Sequence, residues 1–139
     1  MPEGLDLALV RRVHAHEYVE VLSTAWDRWV DLLGPSAGDT GAVAFAWPRR
    51  DENATRPSDI VGQLGYHSFA GDSPIVAGTW DAVQASAASA QTAADLVTGG
   101  DAVAYALCRP PGHHATAEQL GGYCYLNNSA IAAQRLLDG

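Results

Sequence analysis

Residues 109–128 read RPPGHHATAEQLGGYCYLNN. Pro110 and Pro111 fix φ and exclude helix, and Gly112 lets the backbone turn sharply, so His113 and His114 stand in a loop. Immediately upstream, Ala102-Val103-Ala104-Tyr105-Ala106-Leu107-Cys108 is an apolar run bounded by Asp101 and by Arg109-Pro110. Such a run predicts a buried parallel strand. The two imidazoles then leave its C-terminal end, which is where open α/β sheets place ligands. Held together there, one can accept a proton from water while the other donates to a leaving group. Taken alone, a His-His dipeptide is as often structural as catalytic.

Working outward, Thr79–Val97 (TWDAVQASAASAQTAADLV) predicts a helix with Thr79 as N-cap, Asp81 in its first turn and Gly99-Gly100 as terminator. Its alanines permit close approach by another element, as in helices packed on a sheet. Asn127 or Asn128 caps a last helix with Ile131, Leu136 and Leu137 as its apolar surface. Leu5–Leu33 contains neither Gly nor Pro and predicts helix ending at Gly34-Pro35. Within it Tyr18, Leu22, Ala25, Trp26, Trp29 and Leu33 share one face. His14 and His16 precede that face and read as helix-entry histidines bonded to nearby backbone rather than as metal ligands. The segment 35–58 is loop-rich, with a short extended run at Val43–Trp47 and a basic cluster, Arg49, Arg50 and Arg56, that reads as a solvated face.

Composition limits the classes of function. The chain has 139 residues, 47% hydrophobic and 17% charged, with four Trp, which suits one folded domain. No apolar stretch approaches the ~20 residues of a membrane span, and Met1-Pro2-Glu3-Gly4 lacks a secretory start. Two cysteines, Cys108 and Cys124, are too few for a disulfide framework and fit a reducing, cytoplasmic setting. Both read as small buried hydrophobes, and C-x4-H-H-x9-C is not a recurring zinc spacing. The net charge of −8 argues against a nucleic-acid partner and suits a cationic ligand.

The order helix, strand, loop, helix gives an α/β class with a parallel sheet, mostly helical, with one or two strands. A strand apolar on both faces needs neighbours on both sides and layers above and below. The chain supplies too few strands for that, so 1–139 is expected to be a partial domain: either a second copy or another polypeptide completes its sheet, or the sequence is only part of a larger domain.

Arg109-Pro-Pro-Gly-His-His-Ala115, then Gly121-Gly-Tyr-Cys-Tyr-Leu-Asn-Asn128 and Ala130-Ile-Ala-Ala-Gln134, closely resemble the histone deacetylase superfamily, and within it the bacterial acetylpolyamine amidohydrolases. Val13-His14 with Tyr18, Thr24–Trp29, Gly62-Gln63-x-Gly65-Tyr66 and Gly78-Thr-Trp80 follow the same order. The resemblance implies an arginase/deacetylase-like fold. It also implies that His113 and His114 work in general acid/base catalysis, that Gly122 and Tyr123 line the tunnel for the acylated amine chain, and that Asp72 sits at its rim holding substrate. The segment 35–58 resembles an insertion that helps form a dimer.

The family's zinc ligands, an Asp-x-His pair and a second Asp, and a carbonyl-polarising Tyr have no counterpart in these residues. Zn2+ is therefore expected for the complete family domain and not for this chain alone. Three readings stay open. The first is a zinc-dependent amidohydrolase on acetylpolyamine or acetyl-lysine, inactive as this chain alone. The second is a non-catalytic binding or oligomerisation relative. The third is a metal-independent His-His enzyme completed by oligomerisation.

Overall fold

The computed structural model describes residues 4–48, 50–51 and 54–139. Met1, Pro2, Glu3 and Arg49, used above for the N-terminus and the basic cluster, lie outside the described residues, as do Glu52 and Asn53.

The stretch 5–33 is dominated by helix as expected and holds two, α1 (Leu7–Val13) and α2 (His16–Leu33). Asp6 caps α1, its carboxylate accepting from the N–H groups of Ala8 at 2.8 Å and Leu9 at 3.3 Å. The interruption falls at His14, whose φ of −118° and ψ of 145° are extended. Tertiary bonds enforce it: the Ala15 N–H donates to the Ala117 carbonyl at 2.9 Å, and His14 Nε2 accepts from the Asn127 N–H at 2.9 Å. A continuous helix would forfeit both. Along α2, Tyr18, Leu22, Ala25 and Trp29 are buried as their spacing predicts, with Trp26 packed at the edge of the core. Leu33 is exposed, because Gly34, at φ 58°, turns the chain out of the helix there.

The segment after Pro35 is less loop-like than its composition suggests. A 3₁₀ turn over Gly34–Ser36 leads into the single-turn α3 (Ala37–Thr40). Ala42 then exchanges two 2.8 Å backbone hydrogen bonds with Ile75, an antiparallel bridge that anchors the insertion. Phe45 and Trp47 stay exposed beyond it. The next helix, α4 (Ile60–Tyr66), is capped by Asp59, whose carboxylate accepts from the Gly62 N–H at 2.8 Å.

In α5 (Thr79–Thr98) the N-cap is Gly78 at φ 79° rather than Thr79. Thr79 is the first helical residue, and its Oγ1 accepts from the Val76 N–H at 2.9 Å, bracing the preceding turn. The helix ends as the Gly99-Gly100 pair predicts. The Gly100 N–H donates to Val97 at 3.1 Å and the Asp101 N–H to Leu96 at 3.0 Å, with Gly100 at φ 109°, the Schellman pattern. Asn127 caps α6 (Asn128–Asp138), its side chain accepting from the Ala130 N–H at 3.0 Å. Ala87, Ala90 and Ala94 of α5 are buried and let α6 pack closely through Ile131, while Arg135 Nε donates to Asp95 at 2.5 Å.

The largest departure concerns 102–108. Among the described residues the run has no ladder partner, and the backbone pairings outside helices are isolated bridges. Val103, Tyr105 and Leu107 are 82%, 85% and 82% exposed, whereas Ala104, Ala106 and Cys108 are half-buried on the side of α5 and α6. A period of two marks an extended chain. It is covered on one side only, so the expected buried strand is strand-like in periodicity and half-covered in fact.

Burying Ile131 fully stabilises the fold by roughly 1.5–3 kcal/mol, whereas Leu107 buries almost nothing. We expect Ile131→Ala to lower unfolding free energy by about 2–5 kcal/mol, and Leu107→Ser to change it by less than about 0.5 kcal/mol. Urea titration of the two variants side by side checks this.

Candidate functional site

The Pro-Pro-Gly bend is fixed from beneath by two buried polar side chains. Ser86 of α5 donates through Oγ to the Pro110 carbonyl at 2.7 Å. Asn128, at the start of α6, donates through Nδ2 to the carbonyls of Pro110 at 3.0 Å and Pro111 at 2.9 Å. Gly112 follows at φ 97°, where a Cβ would lie 2.4 Å from the Leu126 carbonyl oxygen and 2.7 Å from the Asn128 nitrogen. Only glycine fits there. The Ala115 N–H donates back to Gly112 at 3.0 Å, closing the turn that presents His113 and His114. Their rings lie 4.3 Å apart, inclined by 48°, and both side chains are exposed.

The second half of the motif is a tight hairpin. Gly121 and Cys124 exchange two 3.1 Å backbone bonds, leaving Gly122 at φ 59° and Tyr123 at φ 61° between them. Two central residues at positive φ are the signature of a type I′ turn. A Cβ on Gly122 would stand 2.7 Å from Cδ2 of His114, so the bare glycine lets the imidazole lie against the turn. Tyr123 is the one non-glycine at positive φ among the described residues, and its side chain is 66% exposed. That backbone conformation costs on the order of 1–2 kcal/mol. Asp72 reaches across from the preceding loop, and its Oδ1 accepts from the Gly122 N–H at 2.8 Å. His113, His114, Gly122, Tyr123 and Asp72 are thus gathered on one surface.

Several supports were not legible in the sequence. Buried Tyr18 donates to the Tyr125 carbonyl at 2.5 Å, and Tyr125 donates to the Pro74 carbonyl at 2.7 Å. Burial pushes the Tyr18 hydroxyl well up and, together with the nearby Asp72 and Cys124, brings Tyr125 to about 12, so both remain donors. His67 Nδ1 lies 2.9 Å from the Glu118 carbonyl, to which it donates. Burial holds the imidazoles of His14 and His67 below the ordinary histidine range, against the opposing carbonyls of Ala117 and Thr116 for His14 and of Glu118 for His67. The expected His14-x-His16 pair divides accordingly: His14 is a buried backbone acceptor and His16 is exposed. The basic cluster is not simply solvated. Arg50 stacks on Tyr66 at 4.3 Å and pairs with Glu118 at 2.7 Å, and Arg56 pairs with Glu17.

Both cysteines are free thiols. Cys124 is fully buried and its Sγ accepts from the Gly112 N–H at 3.2 Å, while Cys108 is only half-buried. Among the described residues no group of three or more His, Cys, Asp or Glu side chains is arranged to hold a metal ion. The described residues therefore form no donor group that fits the zinc implied by the family resemblance.

The histone deacetylase domain family matches residues 2–139. The chain belongs to the histone deacetylase family. It is 48% identical over 138 residues to an acetylpolyamine amidohydrolase of Mycoplana ramosa, and 42% identical over 137 residues to acetylpolyamine amidohydrolase 2 of Pseudomonas aeruginosa. Each alignment covers 99% of this chain and 39% of the relative. The crystal structure of an acetylpolyamine aminohydrolase from Burkholderia pseudomallei superposes with a TM-score of 0.87 at 40% identity, over 99% of this chain and 39% of that one. The fold is thus part of the arginase/deacetylase-like α/β domain, mostly helical, and the chain spans about 39% of the relatives it matches.

Two expectations follow from this deacetylase-family site. Because His14 and His67 are buried neutral, the unfolded chain binds more protons than the folded one below the unfolded histidine pKa of ~6.5. Stability is full above that pH and falls as pH drops through it. Urea midpoints at pH 7.5 and 5.5 should differ in that direction, and His14→Gln with His67→Gln should flatten the difference. Separately, Gly122→Ala should displace the His114 ring and cost about 1–2 kcal/mol for the left-handed backbone, seen as altered His114 ring NMR shifts and a lower melting temperature.

Proposed function

We propose that this chain is the histidine-bearing part of a deacetylase-type hydrolase that cleaves the acyl amide of an acetylated amine, an acetylpolyamine or an acetyl-lysine side chain. The observation that carries the reading is His113 beside His114 at 4.3 Å, with His114 lying on the bare Gly122 of the turn that bears Tyr123. One imidazole takes a proton from water as its oxygen attacks the acyl carbon. The other returns a proton to the amine nitrogen as the C–N bond breaks, releasing acetate and the free amine. Asp72 gives the rim a negative charge suited to a cationic amine chain, and exposed Tyr123 offers an aromatic wall to its methylenes. The relatives' names, acetylpolyamine amidohydrolases, support the substrate class.

In this reading residues 1–139 act as one partial domain, without activity alone. A second polypeptide, another copy or a separate chain, covers Val103, Tyr105 and Leu107 and completes the sheet. Zinc would enter only with donors from outside this chain. Exposed Phe45 and Trp47 suit the use of 35–58 as a dimerisation segment. Two free cysteines suit the cytoplasm. The same open face favours a second reading, a non-catalytic assembly module that keeps the surface and has lost turnover.

The test is complementation. The chain is mixed with the separately produced remainder of the Mycoplana ramosa relative, complex formation is verified, and acetate release from a monoacetylated diamine is followed. We expect no release by the chain alone and turnover by the complex, lowered about 10²–10⁴-fold by His113→Ala or His114→Ala. A verified complex without turnover overturns the enzymatic reading in favour of the assembly module. Turnover that survives a strong chelator would instead establish a metal-independent His-His enzyme.

A further inference from the structure

The Gly122–Tyr123 turn meets the 71–74 loop through two adjacent side chains. Oδ1 of Asp72 accepts from the Gly122 N–H at 2.8 Å, and Oγ of Ser73 accepts from the Tyr123 N–H at 2.8 Å. The Ser73 hydroxyl in turn donates to Asp72 Oδ1 at 3.1 Å, so one carboxylate oxygen orients the serine and receives the glycine amide. Ser73 is 2% exposed, whereas Asp72 is exposed at the rim. In a type I′ turn both central residues lie at positive φ, and a tyrosine there is held against its own backbone preference. Its two central N–H groups face outward, where the turn offers them no acceptor. The Asp72-Ser73 pair supplies both.

We propose that Asp72 and Ser73 form a positioning pair that fixes Tyr123 in its left-handed conformation beside His114, and that Ser73, which is buried away from any substrate path, thereby helps set recognition of the acylated amine. Asp72 then has two separable effects, a hydrogen bond to the turn through Oδ1 and a charge at the rim. The consequence for recognition rests on the proposed deacetylase reading, whereas the holding of the turn does not.

Amide hydrogen exchange on the chain, read residue by residue by NMR, decides the first part. Ser73→Ala should speed exchange at the Tyr123 amide about tenfold, the size of one lost hydrogen bond, while amides within α5 keep their protection. Asp72→Ala should do the same at Gly122, and Asp72→Asn, which retains an acceptor, should restore most of the protection. In a Tyr123→Gly background, where the backbone preference is gone, Ser73→Ala should change Gly122 exchange by less than about threefold. Unchanged exchange at Tyr123 in Ser73→Ala overturns the pair, whatever the activity. In the complemented complex, Ser73→Ala should raise KM for a monoacetylated diamine more than it lowers kcat. Faster exchange with both constants unmoved would overturn the role in recognition. A parent complex that turns nothing over would count against the deacetylase reading, and the exchange result would still stand or fall by itself.

Discussion

A Pro-Pro bend has more carbonyls than N–H groups, because neither proline supplies a donor, so its carbonyls need partners from elsewhere in the chain. In this chain the carbonyls of Pro110 and Pro111 point inward and are met by Ser86 and Asn128. Those two donors belong to different helices, so the bond set welds α5, α6 and the bend into one unit. Everything at the surface follows. Gly112 can approach Leu126 and Asn128 only without a Cβ, and its N–H finds Cys124 Sγ. The backbone of the histidine pair is therefore placed by buried hydrogen bonds, and both side chains stay exposed, His114 resting on the bare Gly122.

That separation bears on what a partner over Val103, Tyr105 and Leu107 would do. Val103, Tyr105 and Leu107 lie a few residues upstream of the bend, and a partner covering them would remove from water three side chains worth roughly 1.5–3 kcal/mol each. The bend itself gains nothing from that cover, since its anchors sit on the opposite, helix-facing side of the same extended run. An isolated chain can thus hold the His113-His114 geometry while exposing an apolar stripe of the kind that marks an interaction surface. A fixed histidine geometry and an exposed apolar stripe occur in one continuous stretch, 102–114.

What could be read from the sequence divides along the range of the interactions involved. Helix faces and helix ends depend on residues a few positions apart, and Tyr18, Leu22, Ala25, Trp29 and the Gly99-Gly100 stop behave as their spacing dictates. Gly112, Gly122 and the paired histidines were marked by the motif that contains them. The break at His14 was invisible because its cause is the Ala117 carbonyl and the Asn127 amide, about a hundred residues away. Arg50 looked solvated for the same reason, since its partners Tyr66 and Glu118 come from other parts of the chain. The run 102–108 did carry a local signal that hydrophobicity alone conceals: small residues at 102, 104, 106 and 108 alternate with Val103, Tyr105 and Leu107. From Val103 onward size, not polarity, distinguishes the half-buried residues 104, 106 and 108 from the exposed 103, 105 and 107.

Four of the five histidines then fall into two pairs with opposite requirements. His14 serves as an acceptor for a backbone N–H and His67 as a donor to a backbone carbonyl, each buried, so each must stay neutral. Protonating His14 would set a donor against the Asn127 N–H, and Asn127 also donates to the Ala115 carbonyl at 2.8 Å, one residue from His114. His67 holds the Glu118 carbonyl of the same loop. The loop that bears the exposed histidines is thus fastened at Ala115 and Glu118 by way of buried ones. The loop that bears two exposed imidazoles thus has its frame built from two buried ones that must not take protons, and burial, which lowers the pKa of His14 and His67, keeps that frame neutral.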